Sequence, residues 1–290
     1  MNRIAVIDIG SNSVRYMLAE CTSTHVHSLY KELCTTRLAE GQDEQRRLQA
    51  EPVRRTAEAV LRFAKRAEAE NVPVYAYATS ALREASNRER LLERIGDAVP
   101  LWILSGEQEG ELAYSGATGG RGTLLDIGGG SFQVVNNRVR FSAPIGCVRF
   151  RDRCPEGTPD ELYESLCQWA DSYRSICIPL EEPVTGVGGT ITTLGALQLG
   201  QTVYDGSALP NTSITLDSLK ALLERLYAMG EARKDHPLLY KRHNVILQGG
   251  TILRYLMEHL SIRSVTPRDR DGMEGFASAV LTGKFSVKHP

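Results

Sequence analysis

A seven-residue pattern occurs twice in this chain, offset by 118 residues from Asp8 to Asp126. The copies are Ile7-Asp8-Ile9-Gly10-Ser11-Asn12-Ser13 and Leu125-Asp126-Ile127-Gly128-Gly129-Gly130-Ser131. Both read apolar-Asp-Ile-Gly-x-x-Ser, and in both the motif separates two strand-like segments. Self-similarity at one fixed offset is the mark of a duplicated unit. Each copy also has a later strand, turn and helix: Ala78-Thr79-Ser80 in the first, Gly186–Thr190 in the second. The expectation is two similar α/β domains with a cleft between them. At 290 residues with 42% hydrophobic side chains, the chain can bury a core in each.

The pattern along the chain fills in the rest. Arg3–Glu20 reads as strand, tight turn and strand, and Val26–Thr35 as a third strand. Glu40–Gln49 is polar and reads as loop. Val53, Ala57, Val60, Leu61 and Ala64 recur at helical spacing behind Pro52, which a first helical turn tolerates. Val74–Ala78 reads as a strand, and Thr79-Ser80 as the cap of one helix over Ala81–Ile95. Leu101–Leu104 is a further strand, and Ser105 suits the cap of a helix reaching about Gly116. Four glycines in Gly116–Gly122 mark a boundary. Strands are then expected at Thr123–Asp126, Phe132–Val135, Val139–Ala143, Val184–Val187 and Ser264–Thr266. Helices are expected at Pro159–Ile176, Thr190–Leu199, Leu216–Met229, Val245–Leu260 and Met273–Thr282. The boundaries that follow are 1–118 and 119–272, with a last helix over about 273–290 returning to the first domain.

A turn of Gly, Ser and Asn between strands leaves backbone N–H groups unpaired, and small side chains let an anion approach them. An Asp at the end of the preceding strand can hold a divalent cation, directly or through water. Mg²⁺ takes one or two carboxylates plus waters and phosphate oxygens. Either turn alone reads more readily as an ordinary hairpin. The matched pair points to an oligophosphate gripped by Ser11, Asn12 and Ser13 on one side and Gly128, Gly129, Gly130 and Ser131 on the other. Arg83, in Ala78-Thr-Ser-Ala-Leu-Arg-Glu-Ala85, lies at the start of a helix and offers a charged fork to a phosphate, or pairs with Glu84 or Glu89. Gly188, Gly189 and Thr190 precede another helix and suit a third phosphate, or close helix–strand packing. Gly195–Thr202 has the glycine spacing of a P-loop but carries Gln201 in place of the lysine, and no G-x-G-x-x-G occurs.

Composition excludes other classes. Lys plus Arg (34) nearly balances Asp plus Glu (35), which argues against a non-specific binder of nucleic-acid polymers. The cations are 27 Arg against 7 Lys, and the Arg fork matches phosphate oxygens. No apolar run suggests a membrane span or signal segment, so a cytoplasmic location is expected. The six cysteines, Cys21, Cys34, Cys147, Cys154, Cys167 and Cys177, form no C-x-x-C pair and read as buried free thiols. His25 and His27 share one side of a strand but have no further ligands nearby.

Taken together, Ala5–Ser13, Ala78–Ala85, Ser105-Gly-Glu-Gln-Glu109, Leu125–Ser131 and Gly186–Thr190 resemble the exopolyphosphatase and guanosine pentaphosphate phosphatase family. That family lies within the actin, sugar-kinase and Hsp70 superfamily. Weaker matches are Pro144–Arg149 and Gly249–Leu253. The resemblance spans nearly the whole chain, in family order, and leaves no room for the extra C-terminal helical domains of longer members. It implies two duplicated ribonuclease H-like (actin-like ATPase) domains. It further implies release of terminal orthophosphate from inorganic polyphosphate or guanosine pentaphosphate. Glu109 would be the general base, and Mg²⁺ would sit near Asp126, with Asp8. A homodimer is compatible with the family, with no interface legible in the sequence.

Two positions depart from the family pattern. The second turn usually continues Ser-Thr-Glu, whereas here it continues Ser131-Phe132-Gln133, and an amide cannot act as a base. The closing motif usually carries Arg before Glu-Gly, where this chain has Met273. The alternatives are a catalytically impaired polyphosphate or nucleotide sensor, motivated by Gln133, and a sugar or acetate kinase. The kinase would need an acceptor pocket with a catalytic Asp, and the Ser105–Glu109 match favours the phosphatase. A filament-forming actin relative would need a polymer-contact insertion, which the chain does not show.

Overall fold

The first strand, β1 (Asn2–Ile9), is apolar at Ile4, Ala5, Val6, Ile7 and Ile9, and all five are buried. A strand that is apolar on both faces belongs in the middle of a sheet covered on both sides. The computed structural model, which describes residues 2–22, 25–173 and 178–284, places it there. β2 (Ser13–Cys21) and β3 (Val26–Thr35) follow as an antiparallel meander. After α1 (Ala50–Ala69) comes β4 (Val74–Ala78), parallel to β1. Then come α2 (Ser80–Arg83), α3 (Glu89–Ile95), β5 (Leu101–Ile103) and α4 (Gly106–Thr118). The sheet order is β3-β2-β1-β4-β5.

The second half begins with β6 (Thr123–Ile127), β7 (Phe132–Val135) and β8 (Arg140–Ala143), again an antiparallel meander. It continues through α5 (Cys147–Arg153), α6 (Pro159–Trp169), β9 (Val184–Val187), α7 (Gly188–Gln198), β10 (Ile214–Thr215) and α8 (Leu216–Ala228). It ends with α9 (Ile246–His259), β11 (Ser264–Pro267) and α10 (Gly272–Leu281). Its sheet order is β10-β11-β9-β6-β7-β8, with β9 parallel to β6. The duplicated motif therefore sits between the same two strands of the same meander in both sheets. The chain divides into two compact units. One runs to Gly116 and resumes at Gly272, and the other is Ala117–Asp271.

α1 buries Val53, Ala57, Val60, Phe63, Ala64 and Ala67 against the first sheet. It stops where Asn71 turns left-handed (φ 54°) and the Val72 amide bonds back to the Ala67 carbonyl at 2.9 Å. The single helix expected over 81–95 is broken into α2 and α3. The break has a tertiary cause. Asn87 pairs with both backbone groups of Leu48, accepting its N–H at 2.8 Å and donating to its carbonyl at 3.0 Å. Ser86 also donates to the Gln45 carbonyl at 2.8 Å. The segment that would have been mid-helix thus pins the polar 40–49 loop. α6 ends at Trp169, short of Ile176, and Ile176 and Cys177 lie outside the described residues. α5 and the two-residue β10 carry too little periodicity to be expected. Among the described residues no helix is long and apolar enough to cross a membrane.

α10 packs against β1 and β3 of the first unit. It places Met273 and Phe276 in the core, with the Phe276 ring 4.8 Å from Tyr77 and 5.7 Å from Trp102 between centroids. Position 273 is wholly enclosed, which suits Met on packing grounds. The neighbouring Glu274 is 2% exposed and takes Lys31 of β3 at 2.9 Å. Removing a cationic partner from a carboxylate in low dielectric is costly. Lys31→Ala should therefore lower unfolding free energy by about 3 kcal/mol, while Lys31→Arg should recover most of it. Urea unfolding of the three proteins measures this.

Candidate active site

In the first unit, β1 ends in Asp8 and Ile9, and the chain reverses through Gly10–Asn12. The Gly10 amide donates to the Ser13 carbonyl at 3.0 Å, closing the turn. The carbonyl of Asn12 accepts from the amides of Thr36 and Arg37, at 3.2 and 2.9 Å, and that of Ser11 accepts from the Ala39 amide at 3.1 Å. The amides of Ser11 and Asn12 donate to no acceptor among the described residues. Ser11, Asn12 and Ser13 are all buried, and Ser11 Oγ lies 3.0 Å from Ser80 Oγ at the start of α2. Asp8 is paired directly across the ladder with Arg15. Its Oδ2 accepts from Arg15 Nε at 2.8 Å and from Arg15 Nη2. A cation at Asp8 would therefore compete with a guanidinium.

Glu109 lies in the first turn of α4. Ser105 and Gln108 form a reciprocal cap there: Gln108 N donates to Ser105 Oγ at 3.1 Å, and Ser105 N to Gln108 Oε1 at 2.9 Å. This fixes the helix start and hence the direction of Glu109. Arg83 bridges Glu109 and the loop before it, and its Nη2 lies 3.8 Å from Glu84 Oε1, one of the carboxylate partners expected for it. Its Nη1 donates to Glu109 Oε2 at 3.2 Å and to the Leu104 carbonyl at 2.8 Å. Both side chains keep some solvent exposure.

The second unit repeats the turn. Gly128 N donates to the Ser131 carbonyl at 2.9 Å, matching Gly10 and Ser13. Here α5 takes up the carbonyls. Cys147 N bonds to Gly128 O at 3.0 Å, and Val148 N to Gly129 O at 2.9 Å. The amides of Gly129 and Gly130 have no acceptor among the described residues. Asp126 is partly exposed, and its cross-strand neighbour is Gln133. A Cβ at Gly188, which is left-handed (φ +85°), would lie 2.9 Å from Asp126 Oδ1. Gly189 lies under the guanidinium of Arg242. Thr190 is buried, with its hydroxyl turned towards Gly249, so it serves packing in this arrangement. Burial pushes the neighbouring Cys147 thiol up, against an opposing pull from Arg242 and a Thr190 hydrogen bond.

Among the described residues, no group of three or more His, Cys, Asp or Glu side chains forms a metal cage. A Mg²⁺ that takes most of its ligands from water and phosphate needs one exposed carboxylate. Asp126 is a partly exposed carboxylate of that kind, and Asp8 is ion-paired with Arg15. His25 and His27 are exposed. The described cysteines are free thiols, with Cys21 and Cys147 buried and Cys34, Cys154 and Cys167 partly so.

The Ppx/GppA phosphatase family profile matches residues 3–279. The chain belongs to that family. Exopolyphosphatase 2 of Mycobacterium tuberculosis is 29% identical over 316 aligned residues, covering 96% of this chain and 98% of its own length. The crystal structure of the Aquifex aeolicus Ppx/GppA family member superposes with a TM-score of 0.78 at 26% identity, over 98% of this chain and 99% of that one. An exopolyphosphatase from Cytophaga hutchinsonii shares the fold, with a TM-score of 0.80 at 22% identity over 97% and 98% of the two chains. The two-domain actin-like architecture is thus that of the Ppx/GppA phosphatases.

Within this Ppx/GppA framework, sequence reasoning missed Arg15, Ser80 and Arg242. Arg15 had a signal, since it stands where the second repeat has Gln133. Arg242 had none: it reaches Gly189 from a turn more than fifty residues away. The glycines also differ in what they tolerate. A Cβ at Gly146 would come within 2.5 Å of the Gly130 amide nitrogen, whereas one at Gly189 meets the end of the flexible Arg242 side chain. Gly146→Ala should destabilise the second unit by about 1–3 kcal/mol, and Gly189→Ala by less than half as much. Thermal unfolding of the two variants compares them.

Proposed function

We propose that this chain is a phosphohydrolase that removes terminal orthophosphate from an inorganic phosphate chain, either polyphosphate or the 5′ end of guanosine pentaphosphate. The observation that carries the reading is the pair of glycine turns, each with two backbone amides that have no acceptor among the described residues. Such amides are oriented donors for phosphate oxygens and need no reorganisation when the anion arrives. Membership of the phosphatase family and the 29% identity to an exopolyphosphatase support the substrate class.

In this mechanism Ser11–Ser13 and Gly128–Ser131 hold phosphate oxygens. Glu109 takes a proton from a water as the water oxygen attacks the terminal phosphorus. The bond to the bridging oxygen breaks, and the shortened chain leaves with its electron pair. Arg83 donates to Glu109 Oε2 and so helps to orient the carboxylate that would meet the water. Asp126 would hold Mg²⁺, which when bound offsets phosphate charge. Phosphoryl transfer needs chiefly this positioning and charge stabilisation.

Glu109→Gln keeps the shape and removes the base. Orthophosphate release from long-chain polyphosphate and from guanosine pentaphosphate should fall about 10²–10⁴-fold in that variant, while tripolyphosphate affinity changes little. Release that survives the substitution unchanged would eliminate Glu109 as the base.

A further inference from the structure

The departure at Gln133 has a geometry of its own. Gln133, in β7, is 1% exposed and lies two residues beyond Ser131, which immediately precedes the strand. Gln133 Nε2 donates to Ser131 Oγ at 2.9 Å. Gln133 Oε1 is buried and has no hydrogen-bond partner among the described residues. The amide thus uses its donor end and leaves its acceptor end unsatisfied. A glutamine retained only for packing gains nothing from that state, because a buried amide oxygen without a donor is a net loss.

The direction of the Ser131 contact matters. A serine hydroxyl has one proton to give and two lone pairs to fill. When Gln133 fills a lone pair, the proton remains available to another acceptor, and no described residue accepts it. A glutamate at this position has no N–H, so its carboxylate could only accept the Ser131 proton and would turn it away from the glycine turn. We infer that Gln133 is a positioning residue that sets Ser131 as a hydrogen-bond donor to a phosphate oxygen held in the Gly128–Ser131 turn. The inference rests on the phosphate-binding reading of that turn. It gives the amide a task that the acidic side chain of the family pattern cannot perform.

The test is a double-mutant cycle on binding of inorganic tripolyphosphate with Mg²⁺ present, read by titration calorimetry. The proteins are wild type, Ser131→Ala, Gln133→Met and the double variant, each checked by thermal unfolding. A hydrogen bond to a charged acceptor corresponds to a loss of about tenfold or more in affinity. Each single variant should weaken binding by about that factor, and the double variant should be no weaker than the worse single one. Gln133→Glu, nearly isosteric, supplies a second route. It should weaken binding more in the Ser131 protein than in the Ser131→Ala protein, where only the added charge acts. Losses that multiply independently, or equal effects of Gln133→Glu in both backgrounds, overturn the inference. So does wild-type affinity in Gln133→Met alongside weak binding in Ser131→Ala, which leaves the turn's phosphate role standing. If Ser131→Ala binds as tightly as wild type, or wild type does not bind, the reading of the turn falls and the inference falls with it.

Discussion

The structure depends on how a strand ending in Asp reverses direction without satisfying its own backbone. In each turn, one amide closes the loop onto the carbonyl of the serine three residues on. The carbonyls between them are taken by other segments. Thr36, Arg37 and Ala39 do this in the first unit, and the first amides of α5 do it in the second. What remains are the amides, and buried donors without acceptors are rare in folded proteins. They are tolerated here because the surrounding chain is built to hold the turn in that state. Gly146 shows how tight the arrangement is, since its missing side chain is what lets α5 approach Gly129 and Gly130.

The duplication keeps this backbone device and varies the charge beside it. Arg15 and Gln133 occupy the same position in the repeat, each opposite the Asp of its turn in the antiparallel ladder. Cross-strand partners share a face and interact directly. In the first unit the partner is a cation, and the carboxylate is neutralised within its own sheet. In the second the partner is a neutral amide that turns its donor to Ser131. One ancestral geometry thus supports two electrostatic states.

Much of this was legible because it is local. The strand-turn-strand motif, its repeat and the Ser105 cap are set by residues close together in sequence, where periodicity and turn chemistry act. The break between α2 and α3 was not, because helical spacing continues through it. Asn87 ends the helix by binding Leu48, a contact across thirty-nine positions. Arg83 shows a subtler limit. The sequence expectation put it in the first turn of a long helix, whereas it is the last residue of the short α2. The fold brings the Glu109 carboxylate to it, and Arg83 Nη1 donates to Glu109 Oε2 at 3.2 Å.

The near-zero net charge takes on a physical meaning in this light. A protein that binds a polyanion through surface lysines concentrates counter-charge and loses affinity steeply as salt rises. Each unit, taken by itself, presents backbone amides in its turn and arginines tied to specific places: Arg15 to Asp8 and Arg83 to Glu109 in the first, and Arg242 over Gly189 in the second. Donors fixed in place respond to the geometry of a phosphate group more than to its total charge. A chain with almost balanced charge can therefore handle a highly charged substrate, provided the turns that present the amides stay rigid.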